Sequence, residues 1–111
     1  IPPQKYNYPL HYHDFNTEAF YIISGEGLLI TEEESTSIKT GDIIVCPSGK
    51  KGGHQLFNSS SSEPLIYVDF DTTHSPDVLH YPHSKKIGII EHNVSSQFYK
   101  EEEQADYYEG E

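Results

Sequence analysis

The sequence predicts an all-β domain, either a sandwich or a barrel, and three features support that prediction. Its apolar residues fall in short runs that are separated by turn-forming residues. None of these runs keeps the 3.6-residue period that is typical of an amphipathic helix. The apolar residues are mainly Ile, Val, Leu, Tyr and Phe, which favour strands. A chain of 111 residues is long enough for one domain, with or without a tail.

Strand candidates recur along the chain between polar or glycine-rich turns. They lie at 19–24, 28–31, 42–46, 54–58, 64–71, 77–82 and 86–92. The first two are joined by Gly-Glu-Gly, which is a hairpin signal, and residues 32–37 are expected to form a polar turn. The third should end at Pro47, because proline has no backbone N–H to donate to a neighbouring strand.

The longest candidate, residues 64–71, has two different faces. Alternation along an extended strand puts Asp69 on one face and Ile66, Val68 and Phe70 on the other. Because the second face is wholly apolar, we predict that it faces the core.

The carboxyl terminus has a different composition from the rest of the chain. Residues 101–111 carry six acidic groups and no basic one, which is typical of a solvated tail, although Tyr107 and Tyr108 would also suit docking on a sheet. A serine cap predicts one or two helical turns shortly after residue 94. We therefore divide the chain into a β-barrel domain, 1–94, and an acidic tail, 95–111.

Charge and composition exclude several functions. The net charge is −11, with seven lysines and no arginine, so we expect no nucleic-acid binding. No run approaches the about 20 apolar residues that cross a membrane, and we expect a soluble protein. With Cys46 alone, neither an intrachain disulfide nor a cysteine-rich metal site is expected. The chain opens at Ile1 and has no methionine, so a preceding segment is expected and the compartment is not assigned.

Three side chains near the amino terminus are spaced as the ligands of a metal ion would be. His11 and His13 are two residues apart, so both lie on one face of an extended strand, with Tyr12 on the other. Residues 14–17 favour a turn, which would bring Glu18 beside the pair. Two imidazoles and a carboxylate suit a first-row divalent ion. Exposed polar residues on a hairpin would produce the same pattern.

His54 is a fourth candidate ligand. It follows a glycine-rich loop and begins a later strand candidate. In an antiparallel barrel that strand can pair near the first one and bring its histidine to the same place.

These two stretches resemble the signature motifs of the cupin superfamily, whose members are small jelly-roll barrels. The first motif, G-x5-H-x-H-x(3,4)-E-x6-G, is matched here by His11, His13, Glu18 and Gly25. Lys5 stands where the motif has its leading glycine.

The second motif is G-x5-P-x-G-x2-H-x3-N. It is matched by Gly41, Pro47, Gly49, His54 and Asn58, with four residues rather than two between Gly49 and His54. The resemblance covers most of residues 9–86 and is to a group of small single-domain cupins of poorly characterised function.

The resemblance implies an all-β cupin jelly-roll, or double-stranded β-helix, barrel that holds one divalent transition metal. By this resemblance the ligands are His11, His13, Glu18 and His54. Such a donor set suits Mn, Fe, Co, Ni, Cu or Zn. Four protein ligands on an ion that prefers six leave positions for water or substrate.

Two classes of function follow from this resemblance. The first is a metal-dependent enzyme, of isomerase or oxygenase type, that acts on a small polar metabolite, with Glu18 leaving the ion to serve as a base. The second is a non-catalytic module that binds or senses a small molecule. The missing arginine argues against substrates that need a guanidinium clamp, such as many sugar phosphates and dicarboxylates.

The remaining polar and aromatic residues receive weaker assignments. Lys50 and Lys51 precede His54 and are the best candidates to steer an anion. Four other histidines are expected to be surface residues or to be satisfied by neighbours: His74, His80, His83 and His92. Tyr21, Phe57 and Tyr67 are candidates to line the barrel. An apolar outer face and free edge strands predict a homodimer, as in many cupins.

Overall fold

The computed structural model describes residues 1–111 and is almost entirely β-structure. It has ten strands and two 3₁₀ helices, which confirms the all-β prediction. The strands are β1 Tyr12–His13, β2 Glu18–Ser24, β3 Glu26–Ile30, β4 Ser35–Lys39, β5 Ile43–Cys46, β6 Gln55–Phe57, β7 Ile66–Asp71, β8 Asp77–Tyr81, β9 Lys86–Glu91 and β10 Ser95–Lys100. The 3₁₀ helices are Lys50–Gly52 and Glu101–Glu103. None of the helices has the length and apolar character needed to cross a membrane.

The strands form three antiparallel sheets. Their orders are β5-β2-β7, β4-β3-β6 and β1-β8-β9-β10. Neighbours in the first sheet are distant in sequence: β2 pairs with β7, and Glu18 lies opposite both Asp71 and Cys46. In this register the start of β2 and the ends of β5 and β7 lie side by side at one end of the sheet.

The core lies between the β5-β2-β7 and β4-β3-β6 sheets. It consists of seven buried residues: Phe20, Ile22, Ile38, Ile44, Cys46, Leu56 and Leu65. Cys46, the last residue of β5, is one of them and is a free, buried thiol. The candidate metal ligands lie at one end of this core, since Phe20 stacks edge-on against the His54 ring at 5.4 Å.

The predicted core face of β7 is wrong. Ile66, Val68 and Phe70 are about half exposed, whereas Tyr67 points inward and packs against the core. Asp69 lies on the same inner face, opposite Phe20 of β2. Counting apolar residues chose the wrong face because the inside of the barrel is polar near the site and the outside of this sheet is apolar.

Two predictions of local structure also need correction. Residues 35–37, expected in a turn, begin β4, which pairs with β3. Ser95–Lys100, expected to start a helix, forms β10 along the full length of β9. A single helical turn follows at Glu101–Glu103, and all residues from there to Glu111 are exposed, including Tyr107 and Tyr108. The division of the chain at residue 94 stays a prediction.

Candidate metal centre

A direct pairing between two strand ends brings His11 and His54 together. The two residues form an antiparallel bridge, in which His54 N–H donates to His11 O at 3.0 Å and His11 N–H donates to His54 O at 3.3 Å. Their ring centroids are 4.8 Å apart. The expected pairing of the His54 segment with the first strand is therefore confirmed.

The two-residue spacing of His11 and His13 has the expected effect. Their rings lie 5.1 Å apart on one side of the strand. Tyr12 turns to the other side, where it stacks on His80 at 4.7 Å. The backbone of β1 is held on one side by β8 and on the other by Gly49, whose N–H donates to His13 O at 2.7 Å.

Glu18 completes the cluster from the first position of β2. One of its oxygens, Oε1, lies 2.6 Å from His54 Nε2, 3.6 Å from His13 Nε2 and 3.9 Å from His11 Nε2. The four side chains are nearly inaccessible to solvent, with 12% or less of each exposed. His11, Glu18 and His54 thus offer ligand atoms that all lie within 4.8 Å of one another, and His13 Nε2 approaches the same Glu18 oxygen.

The other nitrogen of each ring is held by an oxygen. His11 Nδ1 bonds to Pro9 O at 2.9 Å and His54 Nδ1 to Gly52 O at 2.8 Å. His13 Nδ1 bonds to Asp77 Oδ2 at 2.8 Å. Carbonyl and carboxylate oxygens only accept, so each Nδ1 carries a proton, and the Nε2 atom of each ring, once it is unprotonated, has its lone pair available to a cation beside Glu18. This is the arrangement by which proteins orient histidines toward a metal ion.

The surroundings shift the proton equilibria of these side chains in different directions. Burial lowers the pKa of His11 to about 4. Burial also opposes a charge on His54, but its contacts with Cys46 and Glu18 outweigh that effect and raise its pKa to about 10. Glu18 is buried too, yet the nearby His13 ring and the hydrogen bond to His54 hold its pKa far below the usual range. Without metal, Glu18 and His54 therefore form a buried ion pair at 2.6 Å.

One atom of the cluster is left without a partner. His13 Nε2 is buried and makes no hydrogen bond. Buried polar atoms are nearly always satisfied by protein, water or an ion, so an unpaired one in this position requires an explanation. A divalent cation that accepts the lone pairs of three imidazoles and one carboxylate oxygen would satisfy it. The residues present therefore fit a transition metal.

Further carboxylates surround the cluster and were missed in the sequence. Asp69 and Asp71 follow Tyr67 on the inner face of β7, and burial, together with the nearby Glu18, raises the pKa of both carboxyl groups. Asp77 holds His13 from the first position of β8. The two-residue spacing of Tyr67, Asp69 and Asp71 could have revealed two of them. Their charges make this end of the barrel attractive to a cation.

Tyr8 is another polar residue at the site that the sequence did not reveal. Its hydroxyl donates to the second oxygen of Glu18, Oε2, at 3.3 Å. Burial, with Glu18 close by, raises the pKa of this hydroxyl well above its usual value. Tyr8 is therefore a neutral donor that holds Glu18 with Oε1 toward the histidines.

The other assigned residues lie away from the cluster. His80 bonds to the exposed Asp14 at 3.0 Å, and His74 stacks on Phe15 at 4.5 Å. His83 and His92 are exposed, as are Lys50 and Lys51.

The three aromatic candidates for the barrel lining differ in where they lie. Tyr67 packs inside, and Phe57 stacks on the exposed Tyr6 at 4.8 Å. Tyr21 lies on the outside of its sheet, which corrects its expected place in the lining. Asn58, from the second motif, is buried and bonds to backbone oxygens of Ile1 and Glu63, so its role is structural.

Two solved structures share this fold. A proposed sugar phosphate isomerase from Acidithiobacillus ferrooxidans superimposes with a TM-score of 0.80 at 24% sequence identity, over 96% of this chain and 66% of the other. A cupin-superfamily sugar phosphate isomerase from Silicibacter pomeroyi gives a TM-score of 0.83 at 18% identity, over 93% of this chain and 64% of the other. This chain thus spans just under two thirds of each neighbour's length.

The sequence itself matches a known family. The model of the cupin domain covers residues 1–71, a range that includes all four residues of the cluster. No curated protein matches the chain at a significant level. Because the family model covers more than half of the chain and the fold agrees with it, this protein belongs to the cupin domain family.

Proposed function

We propose that this protein binds one divalent transition metal ion through His11, His13, Glu18 and His54. The observation that carries the proposal is the convergence of three Nε2 atoms on one oxygen of Glu18, with every Nδ1 already bonded elsewhere. A cluster held together only for stability would not leave His13 Nε2 buried without a partner.

Elemental analysis of protein purified without a metal-affinity column tests the metal site. We expect close to one equivalent of Mn, Fe, Co, Ni, Cu or Zn in the wild type. The His11→Ala, His54→Ala double variant should bind none, whereas His80→Ala should keep the wild-type content because His80 lies outside the cluster. A folded wild type that takes up no metal when each ion is offered would overturn the proposal.

We further propose that the bound ion serves catalysis of the isomerase type on a small polyhydroxy carbonyl compound. Both structural neighbours are described as sugar phosphate isomerases, which supports this reaction class. The ion would act as a Lewis acid on a carbonyl oxygen of the substrate. Polar groups beside it would hold substrate hydroxyls: the Tyr8 hydroxyl, the Asp69 carboxylate and the Tyr67 hydroxyl, to which Asn7 Nδ2 donates at 3.4 Å.

Incubation with a panel of sugars and sugar phosphates in D₂O tests this activity. An isomerase of this kind replaces the hydrogen next to the carbonyl with solvent deuterium, which proton NMR detects as loss of that signal. The Glu18→Gln variant, which lacks the anionic ligand, is the control. Saturable binding without exchange or conversion would favour the non-catalytic module, which the missing arginine also favours for phosphorylated ligands.

We also propose that two copies of the chain pair through the outer surface of the β5-β2-β7 sheet. This outer face carries seven exposed apolar side chains: Tyr21, Ile23, Ile43, Val45, Ile66, Val68 and Phe70. Strand register makes them contiguous, with Tyr21 between Ile43 and Val68. Contiguous apolar surfaces of this kind are typical of interfaces. A second copy of the chain offers the same apolar face, so a symmetric dimer buries both faces at once. Such an interface needs no complementary positive charge, which a chain of net charge −11 would otherwise require from a partner.

Equilibrium sedimentation at micromolar concentration tests the dimer. We expect twice the chain mass of 12.6 kDa for the wild type. Val68→Lys places a charge at the centre of the outer face and should give a monomer. Val94→Lys changes an equally apolar residue that is 76% exposed elsewhere and should leave the dimer intact. A monomeric wild type would contradict the proposal.

A further inference from the structure

Asp77 is a buried carboxylate whose four hydrogen bonds fix both of its oxygens. Its side chain lies at the start of β8 and the residue is only 3% exposed. Oδ1 accepts from the backbone N–H groups of Phe15 and Val78 at 3.0 and 2.9 Å. Oδ2 accepts from Asn16 Nδ2 and His13 Nδ1, each at 2.8 Å. The two oxygens therefore differ in what they bind, since Oδ1 holds the backbone and Oδ2 holds two side chains.

The neighbouring Asn16 fixes which hydrogen bonds Asp77 Oδ2 can make. Asn16 Oδ1 accepts from the His74 N–H at 2.7 Å and from the Thr72 hydroxyl at 2.9 Å. Its amide group is thereby oriented, so that Nδ2 must face Asp77. A donor already occupies one side of Oδ2, and the remaining acceptor capacity faces His13.

His13 differs from the other two histidines in what orients it. His11 and His54 are held by carbonyl groups two residues away in the chain, Pro9 and Gly52. His13 is held by a side chain 64 residues away, on a strand that pairs with its own. A single substitution can therefore disturb the orientation of this one ring and leave the backbone of the cluster in place.

We propose that Asp77 is a positioning residue that selects the tautomer of His13 and so controls metal affinity. The carboxylate accepts a hydrogen bond from Nδ1–H and so leaves Nε2 with a lone pair, 3.6 Å from Glu18 Oε1. Without Asp77, the neutral ring is free to carry its proton on Nε2, where it cannot bind a cation. Partners of this kind typically contribute 10–100-fold to metal affinity. The inference rests on the metal site proposed above.

The Asp77→Asn variant tests this role with almost no change in shape. The amide oxygen can still accept from the two backbone N–H groups, but the NH₂ group then faces His13 and can only donate. His13 can accept this hydrogen bond only as the tautomer that has a lone pair on Nδ1 and its proton on Nε2. We expect affinity for Zn²⁺, measured by competition with a chromogenic chelator, to fall about 10–100-fold. Asp14→Asn is the matched control, since the exposed Asp14 pairs with His80 at 3.0 Å, outside the cluster, and the substitution should leave affinity unchanged.

Two further measurements separate positioning from a general loss of structure. In the His13→Ala background, adding Asp77→Asn should weaken Zn²⁺ binding no further, because its target ring is gone. A loss of the same size in both backgrounds would show that Asp77 supports the fold and would overturn the proposal. Long-range ¹H–¹⁵N NMR of the metal-free protein, at a pH where the ring is neutral, should place the His13 proton on Nδ1 in the wild type.

The tautomer measurement remains informative if the variant does not fold or if the wild type does not bind metal. A wild-type His13 with its proton on Nε2 would overturn the role of Asp77 by itself. Failure of the wild type to bind Zn²⁺ would overturn the metal site, and with it the inference. Full affinity in a folded Asp77→Asn variant would overturn only the inference.

Discussion

Each side chain at the candidate metal centre is oriented by a hydrogen bond to the polar atom that faces away from the proposed ion. Glu18 illustrates this, because Tyr8 donates to Oε2 while Oε1 faces the three imidazoles. The carboxylate is therefore the one anionic member among the four candidate ligands, and its position depends on a neutral donor. A loss of charge there should affect the ion more than the fold.

Glu18→Gln is expected to lower Zn²⁺ affinity by more than ~100-fold. Loss of a residue that supports a ligand costs 10–100-fold, so loss of a charged ligand should cost more. Chelator competition measures the change. His80→Ala removes another carboxylate-bound histidine and should have no effect; an equal loss in both variants would argue against Glu18 as a ligand.

The candidate ligands are positioned by the elements around them. The short Lys50–Gly52 helix, which precedes His54, allows almost no change of side chain or backbone position. A side chain at Gly52 would put its Cβ 1.7 Å from Pro47 O, so only glycine fits. The carbonyl of the same residue accepts from His54 Nδ1 at 2.8 Å. Gly52 therefore allows the loop to pack tightly against Pro47 and also orients the His54 ring.

Gly52→Ala should damage both stability and the site. The loop must move to relieve the contact with Pro47, at a cost of roughly 1–3 kcal/mol, which is typical of overpacking. The same movement withdraws the acceptor of His54 Nδ1, so we expect weaker Zn²⁺ binding as well. Thermal unfolding and chelator competition measure the two effects. Lys51→Ala alters an exposed neighbour and should change neither; wild-type behaviour of Gly52→Ala would contradict the loop geometry.

The whole molecule concentrates negative charge around the candidate metal centre. Asp69, Asp71 and Asp77 lie beside the cluster that contains Glu18, and the pKa values of Asp69 and Asp71 are raised by burial and by repulsion from the neighbouring carboxylates. A bound cation would relieve this repulsion and satisfy His13 Nε2. Metal binding should therefore stabilise the folded chain.

Addition of Zn²⁺ at 100 times its dissociation constant is expected to stabilise the protein by about 2.7 kcal/mol. For a domain of this size the gain corresponds to roughly 10 °C in Tm. Differential scanning calorimetry with and without metal measures it. The His11→Ala, His54→Ala variant should show no shift, and a shift of the same size there would point to binding elsewhere on the acidic surface.

Local pattern was sufficient to identify most strands and three of the four members of the cluster. The short apolar runs of β2, β3 and β5 and the hairpin glycine at position 25 are properties of neighbouring residues, which the chain displays without its fold. The spacing of His11, His13 and Glu18 is equally local. His54 was found by its resemblance to a family motif and by the expected pairing of its strand, which the His11–His54 bridge confirms.

Tertiary structure alone decided the features that depend on distant pairing. Asp77 reaches His13 across 64 residues because β8 pairs with β1, and no local period marks that contact. Register with β2 puts Asp69 and Asp71 on the same face of β7 as the inward-pointing Tyr67, where both stay exposed to solvent, and puts Val68 and Phe70 on the outer face, against the apolar count. Strand β10 exists because β9 offers it a partner along six residues, although its own sequence favours no strand strongly. Sequence thus determined which residues are candidate metal ligands, and long-range strand pairing determined what orients them and which surface is left apolar.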